Sequence, residues 1–495
     1  MSTAPRTLHN HIAGSLCQAL SGATLPVYNP ADGSVVALAP RSSREDVDRA
    51  AEAARAAFGA WSRTPAPVRG EVLFRAAALM VARKEAIAKV MAAEMGKRLE
   101  EARGDIQEAI DTAFYAGSEG RRLFGHTAPS ELVAKMGLTL RRPVGTVGVI
   151  TAWNFPVAVP SWKILPALVC GNTIVWKPAE EAPESGFLFA QCLWDAGLPA
   201  GVLNVVHGLG EEVGAAIVEH PAIAMLTFTG STAVGRKIAE TGGRMLKRVS
   251  LEMGGKNPVI VMPDADLDLA VDGILWGAFG TAGQRCTATS RLIAVGGVEG
   301  ALLPRLIARA EALKVGNPAD PAVEVGPVVS EAQRQRIHHL VGVGVAEGGT
   351  LETGGALTPG PGTFYPPTVV SGVKRGSTLA LTEVFGPVLA VLTAADLDEA
   401  LSIANEVEYG LSSSIYTRDI NAAFRAVESI EAGITYVNAP TIGAEAHFPF
   451  GGVKATGNGH REGGWAPYEF FTEVKTVYID YSGVLQRAQI DNREE

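Results

Sequence analysis

Residues 146–177 read TVGVITAWNFPVAVPSWKILPALVCGNTIVWK, and this stretch decides the fold class. Two short apolar runs, TVGVITAW and GNTIVWKP, flank a helical stretch, and each run reads as a strand buried on both faces. Strand, helix and strand in that order make a βαβ unit, and such units build parallel sheets. Moving outward, GVLNVVHG (201–208), AMLTFTG (224–230), RVSLEMGG (248–255) and NPVIVM (257–262) repeat the pattern. Each ends in Gly, Pro or a polar residue, and helical stretches separate most of them.

The second half continues in the same grammar. Asp264 to Gly280 reads as a helix, as do Asp396 to Val407 and Asn421 to Ile430. Strand signals come from RLIAVGG (291–297), GPVVS (326–330), TLALTEVFGPVLAVLTA (378–394) and GITYVN (433–438). The expectation is a second α/β domain. On the amino-terminal side, LPVYNPADGSVVALAP (25–40) suggests a short hairpin. Helices are expected over Ser43 to Trp61, Pro67 to Met95 and Lys97 to Leu123. The segment GHTAPSELVAKMGLTLRRPVG (125–145) reads as a strand pair away from the core, and KTVYIDYSGV (475–484) as a closing strand before a polar tail.

Composition narrows the function classes. At 495 residues, 47% hydrophobic and 19% charged, the chain is globular and too long for one ordinary core. A net charge of -9 without a basic stripe argues against nucleic acid or an anionic membrane as partner. The opening MSTAPRTLHNHIAG lacks a secretory h-region, and no apolar run is long enough to span a bilayer. Four cysteines make no disulfide framework, so a reducing, cytoplasmic setting is expected. The histidines and cysteines form no metal-ligand pattern.

Several positions carry chemistry. Cys286 lies in GTAGQRCTATSR (280–291), among glycines and small polar residues with Arg285 before it. A nucleophilic cysteine needs access and a stabilised thiolate, and this setting can supply both. Cys170 and Cys192 lie among apolar residues and read as small hydrophobes. Glu252 in SLEMGGKNP (250–258) falls at a strand end, where a carboxylate can act as general base or be held structurally by loop amides. Asn154 in TAWNFP (151–156) can donate to an oxyanion or simply form a turn. Lys177 and Glu180 in KPAE (177–180) suit a nucleotide ribose, or a solvated loop. FTGSTAVGRK (228–237) runs from strand through turn to helix, a phosphate-binding arrangement. It is not a Walker A loop, because Arg236 stands where that motif needs Lys. Gly208, Gly210 and Gly214 are spaced one residue too long for the usual dinucleotide fingerprint.

Taken together, TAWNFP, KPAE, FTGST, LEMGGKNP, GQRCTA, EVFGPV and PFGGVKATG closely resemble the aldehyde dehydrogenase superfamily, nearly end to end. The resemblance implies an α/β fold of two Rossmann-like parallel-sheet domains, cofactor and catalytic, with a β oligomerisation arm. Residues 1–119 and 144–253 would bind NAD, 254–470 would form the catalytic domain, and 120–143 with 473–484 the arm. Residues 485–495 would be a tail. It implies Cys286 as nucleophile, Asn154 with the Cys286 amide as oxyanion donors, and Glu252 as the base that activates hydrolytic water. Lys177 and Glu180 would meet the adenosine ribose. Trp153, Gly230 and Ser231 would lie near the pyrophosphate, and Glu383 with Phe385 at the nicotinamide ribose. Thr151, Gly210, Phe228, Val234 and Met253 complete the expected cofactor residues. NAD is the expected cofactor and NADP the poorer one, with homodimers or homotetramers as the assembly.

The substrate would be a small-molecule aldehyde or semialdehyde, in a pocket with Phe155, Trp162, Arg285, Thr287 and Phe448. Arg285 is open between two roles: facing a substrate carboxylate, or bracing the cysteine loop. A different chemistry also suits a Cys, Asn and Glu set, namely acyl hydrolysis without redox. Production of NADH from an aldehyde separates the two.

Overall fold

The computed structural model describes residues 4–490. The last five residues of the expected tail lie outside the described residues. A seven-stranded sheet runs in the spatial order Arg248–Glu252, Ile223–Thr229, Thr146–Ile150, Thr173–Lys177, Leu203–Val205, Asn10–Ile12, Ser15–Cys17. The first five strands are parallel, and the last two turn antiparallel at the edge. The central strands carry apolar side chains toward both sides, as at Ile174, Val175 and Trp176, because both faces are covered. Ile174 and Trp176 share one core with Leu73 and Met80 of helix α2 (Ala66–Met95) and Ile106 and Ala109 of helix α3 (Leu99–Glu119). Val175, between them, faces a second core with Val47 and Ala50 of helix α1 (Arg44–Arg63).

The chain builds this sheet outward from Thr146–Ile150 in one direction, then returns to add Ile223–Thr229 and Arg248–Glu252 on the other side. Where the order reverses, the carboxyl ends of the strands open a crevice. From Glu252 the chain passes through Met253–Lys256 straight into Asn257–Val261 of a second sheet. That sheet is ordered Thr350–Thr353, Thr368–Ser371, Val388–Ala394, Thr289–Val295, Asn257–Val261, Ser412–Tyr416, Ile434–Val437. All but Thr350–Thr353 are parallel. So the carboxyl edge of the first sheet meets the amino edge of the second, and the junction is where side chains from both converge.

A third, three-stranded antiparallel sheet joins Thr472–Asp480, Lys135–Pro143 and Thr127–Pro129. Among the described residues no helix is long and apolar enough to cross a membrane.

Two expectations need correction. GPVVS (326–330) is no strand: it is an irregular crossing held by side chains, as where Gln284 Oε1 accepts Val329 N–H at 2.9 Å. The run 378–394 is not one strand but a helical turn, Thr378–Leu381, and a strand, Val388–Ala394; Phe385 between them has φ 56°, which no strand tolerates. At the amino terminus, Asn10–Ile12 and Ser15–Cys17 extend the first sheet. Their side chains are too short a pattern to be read against the turn signals around them.

Candidate active site

Cys286 lies in the loop between helix Leu267–Phe279 and strand Thr289–Val295. The loop is unusual in its backbone. Thr281 (φ 53°), Ala282 (φ 51°) and Gly283 (φ 66°) are left-handed in succession. For the two non-glycine residues this costs on the order of 1 kcal/mol each. Gly283 also has no room for a side chain, since a Cβ there would lie 2.1 Å from the Gly386 carbonyl oxygen. Beyond the turn, Asn257 Nδ2 donates to the Cys286 carbonyl at 2.8 Å and the Ala288 carbonyl at 2.9 Å, while Asn257 Oδ1 accepts the Ser412 N–H. Asn257 therefore ties the cysteine loop to two strands of the second sheet.

The Cys286 thiol is pushed up to about 12, first by burial and then by the charges of Glu252 and Glu383, with the N–H groups of Thr287 and Cys286 acting the other way. Glu252 is 4% exposed, and its Oε2 has no hydrogen-bond partner. Burial drives its carboxyl well above the usual range, Glu462 adds to this, and Lys163 and Arg461 oppose it. Behind it lies a buried ion pair, in which Lys163 Nζ donates to Glu462 and also to Thr227 Oγ1 at 3.3 Å. Gly451 closes over Glu252, and a Cβ there would stand 2.5 Å from Glu252 Oε1. Asn154 is buried; its Nδ2 donates one N–H to the Gln284 carbonyl at 3.1 Å, leaving a second N–H on the same nitrogen.

Along the carboxyl edge of the first sheet, Thr151 Oγ1 accepts from Trp176 Nε1, and Lys177 Nζ donates to Glu180 Oε2 at 2.6 Å. Gly210 N–H reaches Glu180 Oε1 at 3.4 Å. Phe228 is buried beneath Gly230, and the Gly230 N–H donates to the Glu252 carbonyl at 3.1 Å. Ser231 caps helix Thr232–Arg244 by accepting Val234 N–H. Met253 donates its N–H to the Thr456 carbonyl. Glu383 accepts the Gly255 N–H at 2.9 Å, and burial pushes its carboxyl up to about 7. Its neighbour Phe385 meets the Trp153 ring edge-on at 5.4 Å. Asn154 Oδ1, Thr229 Oγ1 and Glu252 Oε2 are buried at this edge without partners. Buried polar atoms are rarely left unsatisfied, and three on one edge mark a place built for a ligand.

Cys286 and Thr287 also border a cavity of about 390 Å³ with Phe155, Trp162 and Arg285 on its wall. Arg285 Nε donates to Thr281 Oγ1 at 3.0 Å, its guanidinium lies 3.4 Å from Glu101, and its ring neighbours are Trp276 and Phe155. It braces the loop and lines the cavity at once. Phe448 does not line it: it is 55% exposed and packs on His447. Phe450, two residues on, takes that place against Trp162 at 4.7 Å, because Phe448 closes a turn through its N–H to the Glu445 carbonyl while Phe450 is drawn inward by its backbone bridge to Glu462.

Sequence reading missed Lys163, Glu462, Asn257 and Glu101. Lys163 had a signal: it is a lone cation in the apolar run AVPSWKILPALV, and such a lysine is almost never buried without a partner.

Residues 18–477 match the model of the aldehyde dehydrogenase family. The chain is 40% identical over 482 residues to an alpha-ketoglutaric semialdehyde dehydrogenase of Bacillus subtilis, covering 96% of this chain and 99% of that one. It is 40% identical over 481 residues to malonate-semialdehyde dehydrogenase 1 of Geobacillus thermodenitrificans, covering 96% and 99%. A crystal structure of an NAD-dependent aldehyde dehydrogenase from Sinorhizobium meliloti superposes with a TM-score of 0.95 at 37% identity, covering 98% and 97%. Sheet order, cysteine loop and relatives agree over nearly the whole length, and the chain belongs to the aldehyde dehydrogenase family.

Proposed function

We propose that this enzyme oxidises a carboxylate-bearing semialdehyde to the acid through a thioester on Cys286, with NAD as cofactor. The observation that carries the reading is Cys286 at the cavity wall with a buried, half-unpartnered Glu252 and the Asn154 amide at the same junction. The Glu180 carboxylate, the capped helix at Ser231 and the unsatisfied atoms along the first sheet's carboxyl edge fit a dinucleotide. When bound, NAD supplies the hydride acceptor that turns a Cys286 hemithioacetal into a thioester.

The chain's own residues do the rest. The Cys286 thiol gives up its proton to solvent as the sulfur adds to the aldehyde carbon. The resulting oxyanion is held by the free N–H of Asn154 and the Cys286 backbone N–H, donors of a kind worth about 3 kcal/mol each in the transition state. Glu252 then removes a proton from the water that attacks the thioester, returning the thiol and releasing the acid. The Lys163–Glu462 pair stands behind Glu252 as the next proton-bearing group.

Support for an acidic substrate comes from the far wall. Lys97 is balanced by Asp105 at 2.7 Å; Arg98 and Arg285 both lie against Glu101, and Arg98 also lies 3.9 Å from Glu100. Glu108, on the same wall, is pushed up to about 7 by burial and adds little negative charge below neutrality. A substrate carboxylate entering here would meet two guanidiniums, Arg98 and Arg285, and would share them with Glu100 and Glu101. Two similar enzymes are named for semialdehydes that carry one.

We assign residues 1–119 with 144–253 to cofactor binding, 254–470 to catalysis, and 120–143 with 473–484 to contact between copies in a dimer or tetramer. The mechanism is tested with two variants. Cys286→Ala should bind NAD yet make no NADH from any aldehyde. Glu252→Gln should give a burst of NADH followed by slow turnover. Turnover by folded Cys286→Ala would overturn the mechanism. For the substrate, Arg285→Leu should raise KM for succinic semialdehyde about tenfold or more while sparing hexanal; equal losses would point to a broad apolar pocket.

A further inference from the structure

The nucleophile loop holds a conformation that its own sequence does not favour. Three successive left-handed residues precede Gln284, and Thr281 and Ala282 are not glycines. Local hydrogen bonds offer little support: Gln284 N–H and Nε2 both reach the Thr281 carbonyl, the latter at a long 3.4 Å. What meets the turn from outside is Glu101, on α3, 180 residues earlier in the chain. Its Oε1 accepts the Thr281 N–H at 2.7 Å, and its side chain is 2% exposed. Arg285 reaches the same two partners, donating from Nε to Thr281 Oγ1 and lying 3.4 Å from Glu101 through its terminal nitrogen. Arg98 lies 3.5 Å from the other Glu101 oxygen.

We propose that Glu101 is a positioning residue for Cys286: its carboxylate, by accepting the Thr281 N–H, holds the left-handed turn that sets where the sulfur sits. The inference rests on Cys286 being the nucleophile. A buried N–H is costly to leave unpaired, so the turn keeps its shape while an acceptor stands at this one place. Asn257 fixes the carbonyl side of Cys286 from the second sheet, and Glu101 fixes the approach to it from the first domain's helix. The sulfur's position is therefore set from both sides of the junction. Misplacement of a reacting atom by about 1 Å is enough to cost a hundredfold in rate. The link to the cavity follows from shared partners: the guanidiniums that line the wall lean on the same carboxylate that holds the turn.

Reach and charge are separable by substitution. Glu101→Gln keeps an oxygen at the same reach and removes the charge. Glu101→Asp keeps the charge and withdraws the oxygen by one methylene. The measurement is the rate of Cys286 alkylation by iodoacetamide across pH, read by mass spectrometry, together with kcat and KM for hexanal, whose lack of charge leaves the arginines out. Glu101→Asp should slow alkylation and lower kcat about tenfold with KM within about threefold, and Glu101→Gln should restore alkylation to within about threefold of the parent. Circular dichroism checks that both variants are folded. Parent-like alkylation in folded Glu101→Asp, equal impairment of the two variants, or a loss confined to KM would each overturn the proposal. Alkylation reports on the sulfur without turnover, so failure of the thioester mechanism, seen with Cys286→Ala, is distinguishable from failure here.

Discussion

Glu180 is caught between two opposing influences. Burial works against its charge, and the Lys177 ammonium at 2.6 Å more than offsets this, holding the carboxyl below its usual range. It is therefore ionised at neutral pH, at the end of a strand whose crevice suits a nucleotide ribose. An ionised carboxylate accepts from a ribose diol and repels a 2′-phosphate. NAD should be favoured over NADP in kcat/KM, and Glu180→Gln should narrow that preference about tenfold. A parent enzyme that prefers NADP would remove Glu180 from the ribose. The Lys177–Glu180 pair was legible in sequence because the two are three residues apart, at a strand end and in the loop that follows it. Lys163 and Glu462 were not, because their pairing spans 299 residues and only packing brings it about.

At the scale of elements, the loop 280–288 shows how a strained segment is kept. Gly283 sits at φ 66° with no space for a Cβ beside the Gly386 carbonyl. Gly283→Ala must push that carbonyl away or unwind the turn, at about 1–3 kcal/mol. The expected result is a lower Tm together with slower Cys286 alkylation. An unchanged Tm and alkylation rate would show that the turn adapts freely. The opposite wall of the junction is similarly tied: Gln333 Nε2 donates to the Phe385 carbonyl at 2.7 Å, and Arg336 to the Val384 and Glu383 carbonyls. Helix Glu331–Ala346 thereby holds Glu383 and the left-handed Phe385 in place.

The whole molecule leaves one sheet without a core. In the antiparallel register Ile479 stands opposite Met136 and Val477 opposite Leu138, so these four share a face. Met136 and Ile479 are 49% and 47% exposed. A three-stranded sheet with an apolar, uncovered face is poorly suited to water on both sides. Under the proposed assignment of this sheet to contact between copies, a second copy would cover that face. The double variant Met136→Lys with Ile479→Lys should elute as a smaller species than the parent in size-exclusion chromatography with light scattering. A parent that is already monomeric would refute the assignment of this sheet to contact between copies.

Sequence by itself determined the parallel α/β grammar, because a strand buried on both faces carries apolar residues at successive positions, as at Ile174, Val175 and Trp176 and at Val259, Ile260 and Val261, and such runs are visible locally. It also determined Cys286, Glu252 and Asn154 as candidates, since each lies in a short motif at the end of a regular element. Tertiary structure alone decided how the carboxyl edge of one sheet meets the amino edge of the other. It decided that Phe450 rather than Phe448 faces the cavity, that Arg285 both braces and lines, and that Glu101 reaches the cysteine loop. The physical reason is the range of the forces. Burial and backbone propensity act on neighbouring residues and are written locally, whereas several of the hydrogen bonds that hold this site, such as Glu101 to Thr281 and Asn154 to Gln284, join residues more than a hundred positions apart, and exist only once the sheets have packed.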